Sequence, residues 1–333
     1  MTPIELIYRL GYTLKKRAVL KDRKALPYPV ISIGNITVGG TGKTPAAIAV
    51  AEEALKRGYC PVILTRGYKG RAKGPCLVSK GSGRLLSAAD AGDEPALLAE
   101  RLDGVPVVKS ADRYAGGMFA LAQLQMDGKR PLFILDDGFQ HWRLARDVDI
   151  VLIDGINPFG NRRLLPLGPL RGPLAELKDA DFMVITKTRN EQLAAELKTI
   201  NGKAPLYFSE YKAIGLRGIH GGQAGLSGLE NKKVFAFCGI ANPESFRGTL
   251  QQAGSIIVEL KSYRDHYRYS RKDMDEIADK AKRQGADLIV TTEKDMIKIK
   301  EISELPSNIY ALEIGFRADK NFFDELFRRI DGR

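Results

Sequence analysis

The chain has 333 residues, 44% of them hydrophobic, and a net charge of +12. This composition excludes a disordered protein, and no apolar run is long enough to span a bilayer or, at the N-terminus, to form a signal peptide. The three cysteines are too few and too scattered for a disulfide framework or a zinc site. The length allows one large or two ordinary domains, and the positive charge favours an anionic partner such as phosphate, nucleic acid or anionic lipid.

Residues 2–24 have the pattern of a basic amphipathic helix. Thr2 is a candidate N-cap, Pro3 suits the first turn, and Glu5 completes a capping box. Apolar side chains recur along one face, and lysines and arginines occupy much of the remainder. The apolar set comprises Ile4, Ile7, Tyr8, Leu14 and Ala18, with Leu6 and Leu10 beside it. Two hypotheses stay open: the helix lies in a membrane interface, or it is a surface helix that packs its apolar stripe on the protein.

A strand-like segment, residues 29–33, leads through a glycine-rich turn into a helix-like segment, residues 46–57. This order is the layout of a phosphate-binding loop, in which backbone N–H groups and a helix N-terminus face phosphate oxygens. Lys43 is expected to reach the β- and γ-phosphates, and the Thr44 hydroxyl to bind Mg²⁺. Thr37 replaces the usual first glycine, so an ordinary glycine-rich turn is the alternative. The residues expected to contact a nucleotide are Thr37, Gly39, Gly40, Thr41, Gly42, Lys43, Thr44 and Pro45.

Strand-like and helix-like segments alternate through the first two-thirds of the chain. Nearly continuous apolar strands separated by helices predict an α/β fold, with a parallel sheet covered by helices on both faces. The phosphate-binding loop then lies at the carboxyl end of the first core strand, where such folds bind ligands. Strands are expected at 30–33, 60–65, 105–108, 132–135, 150–153 and 182–186, and helices at 46–57, 94–101, 112–125 and 190–197.

A glycine-rich stretch, residues 215–228, suggests a domain boundary before a smaller α/β unit. The segments 205–211 and 308–316 flank this unit, and they could pair as a two-stranded hinge. The predicted division is an N-terminal helix at 1–24, a core at 25–212 and a C-terminal domain at 213–333. In the smaller unit, strands are expected at 233–238, 256–260 and 287–291, and helices at 243–253 and 270–284.

Two pairs of carboxylates are candidates for metal binding and proton transfer. Asp136 and Asp137 directly follow the predicted strand 132–135, the place where proteins with a phosphate-binding loop hold Mg²⁺; a simple turn is the alternative. Asp93 and Glu94 open a predicted helix. Asp93 as its N-cap is the structural interpretation, and a base beside a metal ligand is the functional one. The spacing alone does not decide between them.

Further candidates lie in polar loops. Arg66 and Tyr68 follow the second strand and Arg113 begins a helix, so all three are expected on the rim that carries the phosphate-binding loop, where they suit an anionic sugar or a nucleic-acid backbone equally. Residues 161–171 mix cations with leucines and prolines, which suits an acyl chain or a headgroup, or a loop that closes over the core. His266, in a loop of the second domain, is a candidate to orient a carboxylate base across an interdomain cleft.

Together these motifs resemble the lipid A 4′-kinases (tetraacyldisaccharide 4′-kinases), a family of the P-loop NTPase superfamily. The matching runs follow one another in order across nearly the whole chain, and the run Asp136-Asp137-Gly138-Phe139-Gln140-His141 beside this phosphate-binding loop is highly specific. The other runs are residues 34–45, Thr65-Arg66-Gly67-Tyr68, Gly92-Asp93-Glu94-Pro95, Asp112-Arg113, Leu164-Leu165-Pro166, Gly168-Pro169-Leu170-Arg171, Asp265-His266 and Thr292-Glu293-Lys294-Asp295.

The resemblance implies a kinase that uses ATP and Mg²⁺ to phosphorylate the 4′-hydroxyl of tetraacyldisaccharide 1-phosphate in lipid A biosynthesis. It implies that Lys43 and Thr44 hold the phosphates and the metal ion, and that Asp93 is the base with His266 as its partner. Glu94, Asp136 and Asp137 would then lie near the metal. The disaccharide site would contain Arg66, Tyr68, Arg113, Gln140, His141 and Arg171.

The resemblance also implies a cellular place for the chain. The N-terminal helix would be a monotopic contact with the anionic surface of the bacterial inner membrane, on its cytoplasmic face, where the glycolipid substrate is embedded. No nucleic acid and no obligate protein partner are expected. The alternative function is a membrane-associated P-loop ATPase switch, in which many members carry a lysine just before the paired glycines. Val38 occupies that position here.

Overall fold

The computed structural model describes residues 2–126 and 128–332. They form two compact units: unit 1 comprises Met1–Tyr211 and Phe316–Arg333, and unit 2 comprises Lys212–Gly315. The chain passes from one unit to the other within two strands, which are the segments predicted to form a two-stranded hinge. That hinge role stays a prediction.

The helices and strands of unit 1 alternate as the hydrophobic pattern predicts. Its helices are α1 (Pro3–Lys21), α2 (Lys43–Lys56), α3 (Ala88–Ala91), α4 (Asp93–Arg101), α5 (Arg113–Gln123), α6 (Glu191–Ile200) and α10 (Phe322–Asp331). Its strands are β1 (Val30–Gly34), β2 (Tyr59–Thr65), β3 (Cys76–Lys80), β4 (Pro106–Lys109), β5 (Arg130–Asp136), β6 (Val148–Asp154) and β7 (Phe182–Thr186), and it shares β8 (Leu206–Gly218) and β13 (Ile309–Ala318) with unit 2. A 3₁₀ helix spans Leu174–Asp179.

The sheet of unit 1 has the strand order β8-β7-β6-β1-β5-β2-β4-β3. Every described pair is parallel except the edge pair of β3 with β4. Strand β1 is buried along its whole length, and its Ile33 lies opposite Asp136 of β5. This register brings the residues that follow β1 and β5 to the same edge of the sheet. The predicted parallel α/β fold is confirmed.

Unit 2 is a smaller α/β layer with the parallel strand order β11-β10-β12-β13. Phe235, Phe237 and Ile277 are fully buried in its core. The helices and strands that lie within it are β9 (Gln223–Ala224), β10 (Lys233–Cys238), α7 (Pro243–Gln252), β11 (Ile256–Ser262), α8 (Arg271–Arg283), β12 (Leu288–Thr292) and α9 (Glu293–Ile299), with a 3₁₀ helix at Leu226–Leu229.

The structure differs from the sequence-based division at two places. Strand β8 extends into the predicted glycine-rich boundary as far as Gly218, and its Leu216 and Arg217 pair with β9. Helix α10 was not predicted, and its residues, which the sequence-based division counted with the C-terminal domain, belong to unit 1. There Phe327 packs on the ring of Tyr59, while Phe322 packs on Phe182. Strand β3 and helix α9 were also not predicted.

Helix α1 has the predicted capping box, in which the Thr2 hydroxyl accepts from the Glu5 N–H and the Glu5 carboxylate accepts from the Thr2 N–H. Its isoleucines and leucines point outward: Ile7 is 72% exposed and Leu10 is 60% exposed. The hypothesis that this helix packs its apolar stripe on the protein is therefore wrong. Among the described residues, no helix is long and apolar enough to cross a bilayer.

Candidate active site

The phosphate-binding loop occupies residues 35–42, between β1 and α2. Helix α2 begins at Lys43, three positions earlier than predicted, with Gly42 as its N-cap in a left-handed conformation (φ 79°). The hydroxyl of Tyr211 lies 2.9 Å from the carbonyl oxygen of Thr41 and 3.2 Å from that of Gly42. A Cβ atom at Gly42 would stand 2.0 Å from the Tyr211 ring. Both the backbone conformation and this close approach require glycine here.

Lys43 points back across the loop. Its Nζ donates to Asn35 Oδ1 at 3.2 Å and lies 3.6 Å from Asp137 Oδ1, with the side chain only 11% exposed. The Asn35 amide in turn donates to the Thr37 hydroxyl at 3.3 Å. These contacts hold the ammonium group beside the loop backbone. The next residue, Thr44, is buried in the first turn of α2.

The carboxylates of Asp136 and Asp137 have opposite electrostatic environments. Burial, followed by the negative charges of Glu94 and Asp137, raises the pKa of Asp136 to about 7. Burial also opposes ionisation of Asp137, but Lys43 and Arg171 outweigh it and hold the pKa of that carboxyl below its usual value. The Arg171 guanidinium donates to both oxygens of Asp137, at 2.9 and 3.0 Å. Asp137 is thus paired with two cations, whereas the charges of Lys43 and Arg113 do not offset the burial of Asp136.

Asp93 is the first residue of α4, and the N-cap is Gly92. The prediction that Asp93 caps this helix is therefore wrong. The reason lies in the neighbouring loop: Gly92 has φ 99°, and a Cβ atom there would stand 2.8 Å from the carbonyl oxygen of Tyr68. Only glycine fits this position, and Asp93 already belongs to the first turn of α4. Asp93 and Glu94 are both half-buried, and the negative charge of Glu94 raises the pKa of Asp136.

The buried Arg113, the first residue of α5, lies beside the half-buried His141. The backbone N–H of Arg113 donates to Nε2 of His141 at 3.4 Å, which assigns the ring proton of a neutral imidazole to Nδ1. Burial, together with the Arg113 charge, lowers the pKa of His141 to about 4. The Arg113 side chain is also buried, and burial lowers its pKa to about 10. Its Nε has no hydrogen-bond partner in the described part of the chain.

The loop before Arg171 is joined to the phosphate-binding loop. Arg171 N–H donates to the Ile36 carbonyl, and Val38 N–H donates to the Pro169 carbonyl, each at 2.8 Å. Helix α1 contacts the same region, because the Tyr8 hydroxyl donates to the Arg171 carbonyl at 2.9 Å. Residues far apart in the sequence therefore hold the Arg171 side chain at the Asp137 carboxylate.

The remaining predicted residues lie partly in unit 1 and partly in unit 2. Gln140 donates to the Tyr12 hydroxyl at 3.3 Å. Arg66 and Tyr68 are exposed on the loop after β2, and the charge of Arg66 acts on Arg113. His266 belongs to unit 2, in the loop after β11, and is described with that unit below. Sequence reasoning missed Tyr8, Tyr12 and Tyr211 as supports of the site, since a tyrosine in a helix or strand carries no local signal of a distant hydrogen bond.

A family model for tetraacyldisaccharide-1-P 4′-kinase matches residues 1–331 of this chain. The chain belongs to this kinase family. The tetraacyldisaccharide 4′-kinase of Syntrophus aciditrophicus is 39% identical over 337 residues, which cover 95% of this chain and 89% of that protein. The tetraacyldisaccharide 4′-kinase of Desulfotalea psychrophila is 41% identical over 308 residues, which cover 90% and 86%.

The fold agrees with a solved member of the kinase family. The crystal structure of LpxK from Aquifex aeolicus in complex with ATP has a TM-score of 0.80 and 33% identity to this chain, and the match covers 98% of each chain. The resemblance inferred from the motifs is confirmed. The chain is a lipid kinase of lipid A biosynthesis, which transfers a phosphoryl group to a hydroxyl group.

Proposed function

We propose that the site in unit 1 binds Mg-ATP and transfers its γ-phosphoryl group to the 4′-hydroxyl of tetraacyldisaccharide 1-phosphate, with Asp93 as the general base. The observation that carries this proposal is the electrostatic cluster at the carboxyl ends of β1 and β5. There the charges of Lys43 and Glu94 both act on the buried carboxylate of Asp136, and Lys43 Nζ lies 3.6 Å from Asp137 Oδ1. Phosphoryl transfer needs groups that hold the phosphates, the metal ion and the attacking hydroxyl. Lys43 would hold the phosphates, Asp136 would bind the metal ion, and Asp93 would accept the proton of the hydroxyl.

The loop fits the phosphates of ATP. In the described chain no side chain caps α2, and its first turn carries no acidic residue, so its N–H groups and dipole are available to an anion. The hydroxyl of Thr41 is buried without a hydrogen-bond partner among the described residues. Added Cβ atoms at Gly39 and Gly40 would meet open space. The ATP-bound relative from Aquifex aeolicus supports this assignment.

The carboxylates fit Mg²⁺. Asp136 is buried beside Glu94 and Asp137, and its raised pKa reflects burial and these like charges. A divalent cation bound by Asp136, Glu94 and the Thr44 hydroxyl would relieve that repulsion. Mg²⁺ supplies charge neutralisation for the phosphoryl oxygens.

The protein side chains would then have separate roles in proton transfer and in substrate binding. Asp93 accepts the proton of the 4′-hydroxyl, the hydroxyl oxygen bonds to the γ-phosphorus, and the bond to the β–γ bridging oxygen breaks to release ADP. We assign His266 as the residue that orients Asp93, on the basis of family membership. The residues assigned to the phosphorylated disaccharide are Arg66, Tyr68, Arg113, Gln140, His141 and Arg171.

Helix α1 is proposed as the contact with the cytoplasmic face of the inner membrane. Its outer face exposes Ile4, Ile7, Leu10 and Leu14, and Arg9, Lys15 and Arg17 are exposed on the same helix. A basic helix with an exposed apolar face suits the interface of an anionic bilayer. The acyl chains of the substrate lie in such a bilayer. The proposal requires no nucleic acid and no additional protein.

Transfer of label from γ-labelled ATP to tetraacyldisaccharide 1-phosphate in detergent micelles tests the proposal. Asp93→Asn should lower kcat about 10²-fold or more, the usual contribution of a general base, and should leave nucleotide binding intact. Asp103→Asn, an exposed carboxylate elsewhere in unit 1, is the matched control. Loss of nucleotide affinity alone would make Asp93 a ligand rather than the base. Hydrolysis of ATP without label on the lipid would favour the ATPase switch.

A further inference from the structure

We propose that Asp295 is a positioning residue for His266, and that it acts through a buried polar cluster that holds both sides of the His266 loop. The cluster, called here the anchor cluster, consists of the side chains of Thr292, Asp295 and Lys298. The inference rests on the proposed function, since it takes His266 as a participant in the reaction. It assigns a role to the run 292–295, which the proposed mechanism does not use.

Asp295 is at the centre of the anchor cluster. Its side chain is fully buried, and its Oδ2 accepts hydrogen bonds from the Gly239 N–H at 2.8 Å and from the Thr292 hydroxyl at 2.7 Å. Its Oδ1 accepts from Lys298 Nζ at 2.7 Å. All three partners donate to this side chain, and two of them, a backbone N–H and a lysine ammonium, can only donate, so an amide at this position would bring an NH₂ group against at least one donor.

The anchor cluster binds two backbone segments, at Gly239 and at Tyr267, and both of them position His266. Gly239, whose N–H is bound by Asp295, accepts the His266 N–H through its carbonyl oxygen at 3.2 Å. Lys298 donates to the carbonyl oxygen of Tyr267 at 3.1 Å. The Asp295 carboxylate is therefore linked to both neighbours of His266. It binds Gly239 directly, and it binds Tyr267 through Lys298.

The backbone of His266 needs such support. It has φ 59°, in the left-handed region that a residue with a side chain adopts at a cost. The loop also lies close to its anchor, since a Cβ atom at Gly239 would stand 3.2 Å from the Arg264 carbonyl and 3.2 Å from Tyr267 Cβ. A small shift of Gly239 would displace His266.

Stability alone does not explain this arrangement. A buried ion pair is often no more stabilising than well-packed apolar side chains of similar volume. Asp295 pairs with Lys298, and the Lys298 side chain is 9% exposed. This ion pair instead provides hydrogen-bond partners for backbone groups at the His266 loop. An experiment can therefore test whether the ion pair of Asp295 with Lys298 positions His266.

The test is a double-mutant cycle on the full-length kinase. Asp295→Asn should lower kcat about 10–100-fold, as expected for a misplaced group, with the KM for ATP unchanged. In a His266→Ala background the same substitution should have no further effect on kcat, because there is no imidazole left to position. Asp275→Asn, an exposed carboxylate on α8, is the control. Thr292→Val, with Thr292→Ser as its control, provides a milder variant if Asp295→Asn does not fold.

The outcomes separate the inference from the function on which it rests. An equal loss of kcat in both backgrounds would indicate a purely structural role and overturn the inference. Full activity of folded Asp295→Asn and Thr292→Val, with an inactive His266→Ala, would also overturn it and leave the proposed role of His266 intact. A fully active His266→Ala variant would overturn both.

Discussion

Adjacent carboxylates at the end of β5 have pKa shifts of opposite sign. Asp136 is buried and faces Glu94 and Asp137, which raises its pKa to about 7. Asp137, although burial opposes its ionisation, faces Lys43 and Arg171, and its pKa is lowered. The difference comes from which partners each side chain meets, because both residues are the same amino acid. The carboxylate with the raised pKa, Asp136, is proposed to bind Mg²⁺.

Asp136→Asn should stabilise the metal-free protein at alkaline pH while it abolishes the kinase activity. Because the pKa of Asp136 is higher in the folded than in the unfolded protein, its ionisation costs folding free energy between about pH 4 and pH 7. At pH 8 the substitution should raise the free energy of unfolding by at most about 4 kcal/mol, because the pKa is about three units above its ordinary value and each unit corresponds to about 1.4 kcal/mol. At pH 4 it should have little effect. Urea unfolding at the two pH values measures this difference.

Asp137→Asn is the matched control, with the opposite sign. Its pKa is lower in the folded protein, so its ionised form stabilises the fold above about pH 4, and that stability is lost as the pH falls. The substitution should therefore destabilise the protein at pH 8. Destabilisation by both variants at pH 8 would contradict the assigned environment of Asp136.

At the scale of elements, the phosphate-binding loop is supported from two sides. The Tyr211 hydroxyl of β8 contacts the Thr41 and Gly42 carbonyl oxygens, and the Pro169 carbonyl accepts from Val38. Neither support is near the loop in the sequence. Loop geometry, and with it the position of Lys43, therefore depends on β8 and on the loop before Arg171.

Tyr211→Phe should raise the KM for ATP about fivefold, with a smaller change in the KM for the lipid. The substitution keeps the ring that Gly42 accommodates and removes only the hydroxyl, and a buried hydrogen bond contributes about 1 kcal/mol. Steady-state kinetics with each substrate varied in turn measure the split. Tyr28→Phe, at a partly exposed tyrosine, is the control. A change confined to the lipid KM would contradict the role of Tyr211.

Helix α1 presents different faces to the protein and to solvent. Leu10→Glu should weaken binding to vesicles, because it places a charge on the exposed apolar face. Activity on substrate in detergent micelles should be retained, since Tyr8 and Tyr12 still contact the site residues. Flotation with vesicles measures the binding, and Gln125→Glu changes the charge equally elsewhere on unit 1. Equal flotation of the two variants would show that this face does not contact lipid.

At the scale of the whole molecule, the net charge of +12 should assist membrane contact. Binding to vesicles that contain phosphatidylglycerol should weaken as salt is added, because salt screens the attraction between the cations and an anionic surface. Binding to purely zwitterionic vesicles should be weaker and depend little on salt. Equal binding to both vesicle types at low salt would mean that the apolar face of α1 acts without help from the charge.

The two units also differ in how the chain enters them. Unit 2 is one continuous segment, Lys212–Gly315, whereas unit 1 is closed by the C-terminal helix α10. Helix α10 packs on strand β2, where the ring of Phe327 contacts the ring of Tyr59. Sequence order alone suggests that the last residues belong to the domain that precedes them. For this reason the sequence-based division assigned the residues of α10 to the C-terminal domain.

The amino-acid sequence by itself determined the features that local patterns encode. Apolar runs predicted the parallel strands, Thr2 and Glu5 predicted the capping box, and the strand–loop–helix order predicted the phosphate-binding loop. The adjacency of Asp136 and Asp137 to a buried strand predicted where they lie. Each of these signals is carried by residues within a few positions of one another, so a linear sequence is enough to detect it.

Only the tertiary structure decided the rest. Tyr211 meets Thr41 across 170 positions of the chain, and no periodicity or turn signal connects them. The N-cap of α4 is Gly92 rather than Asp93, and the Tyr68 loop leaves room only for glycine at position 92. The ionisation of Asp136 follows from burial beside charges brought from other strands and helices. These properties depend on contacts between distant segments, and such contacts exist only once the chain has folded.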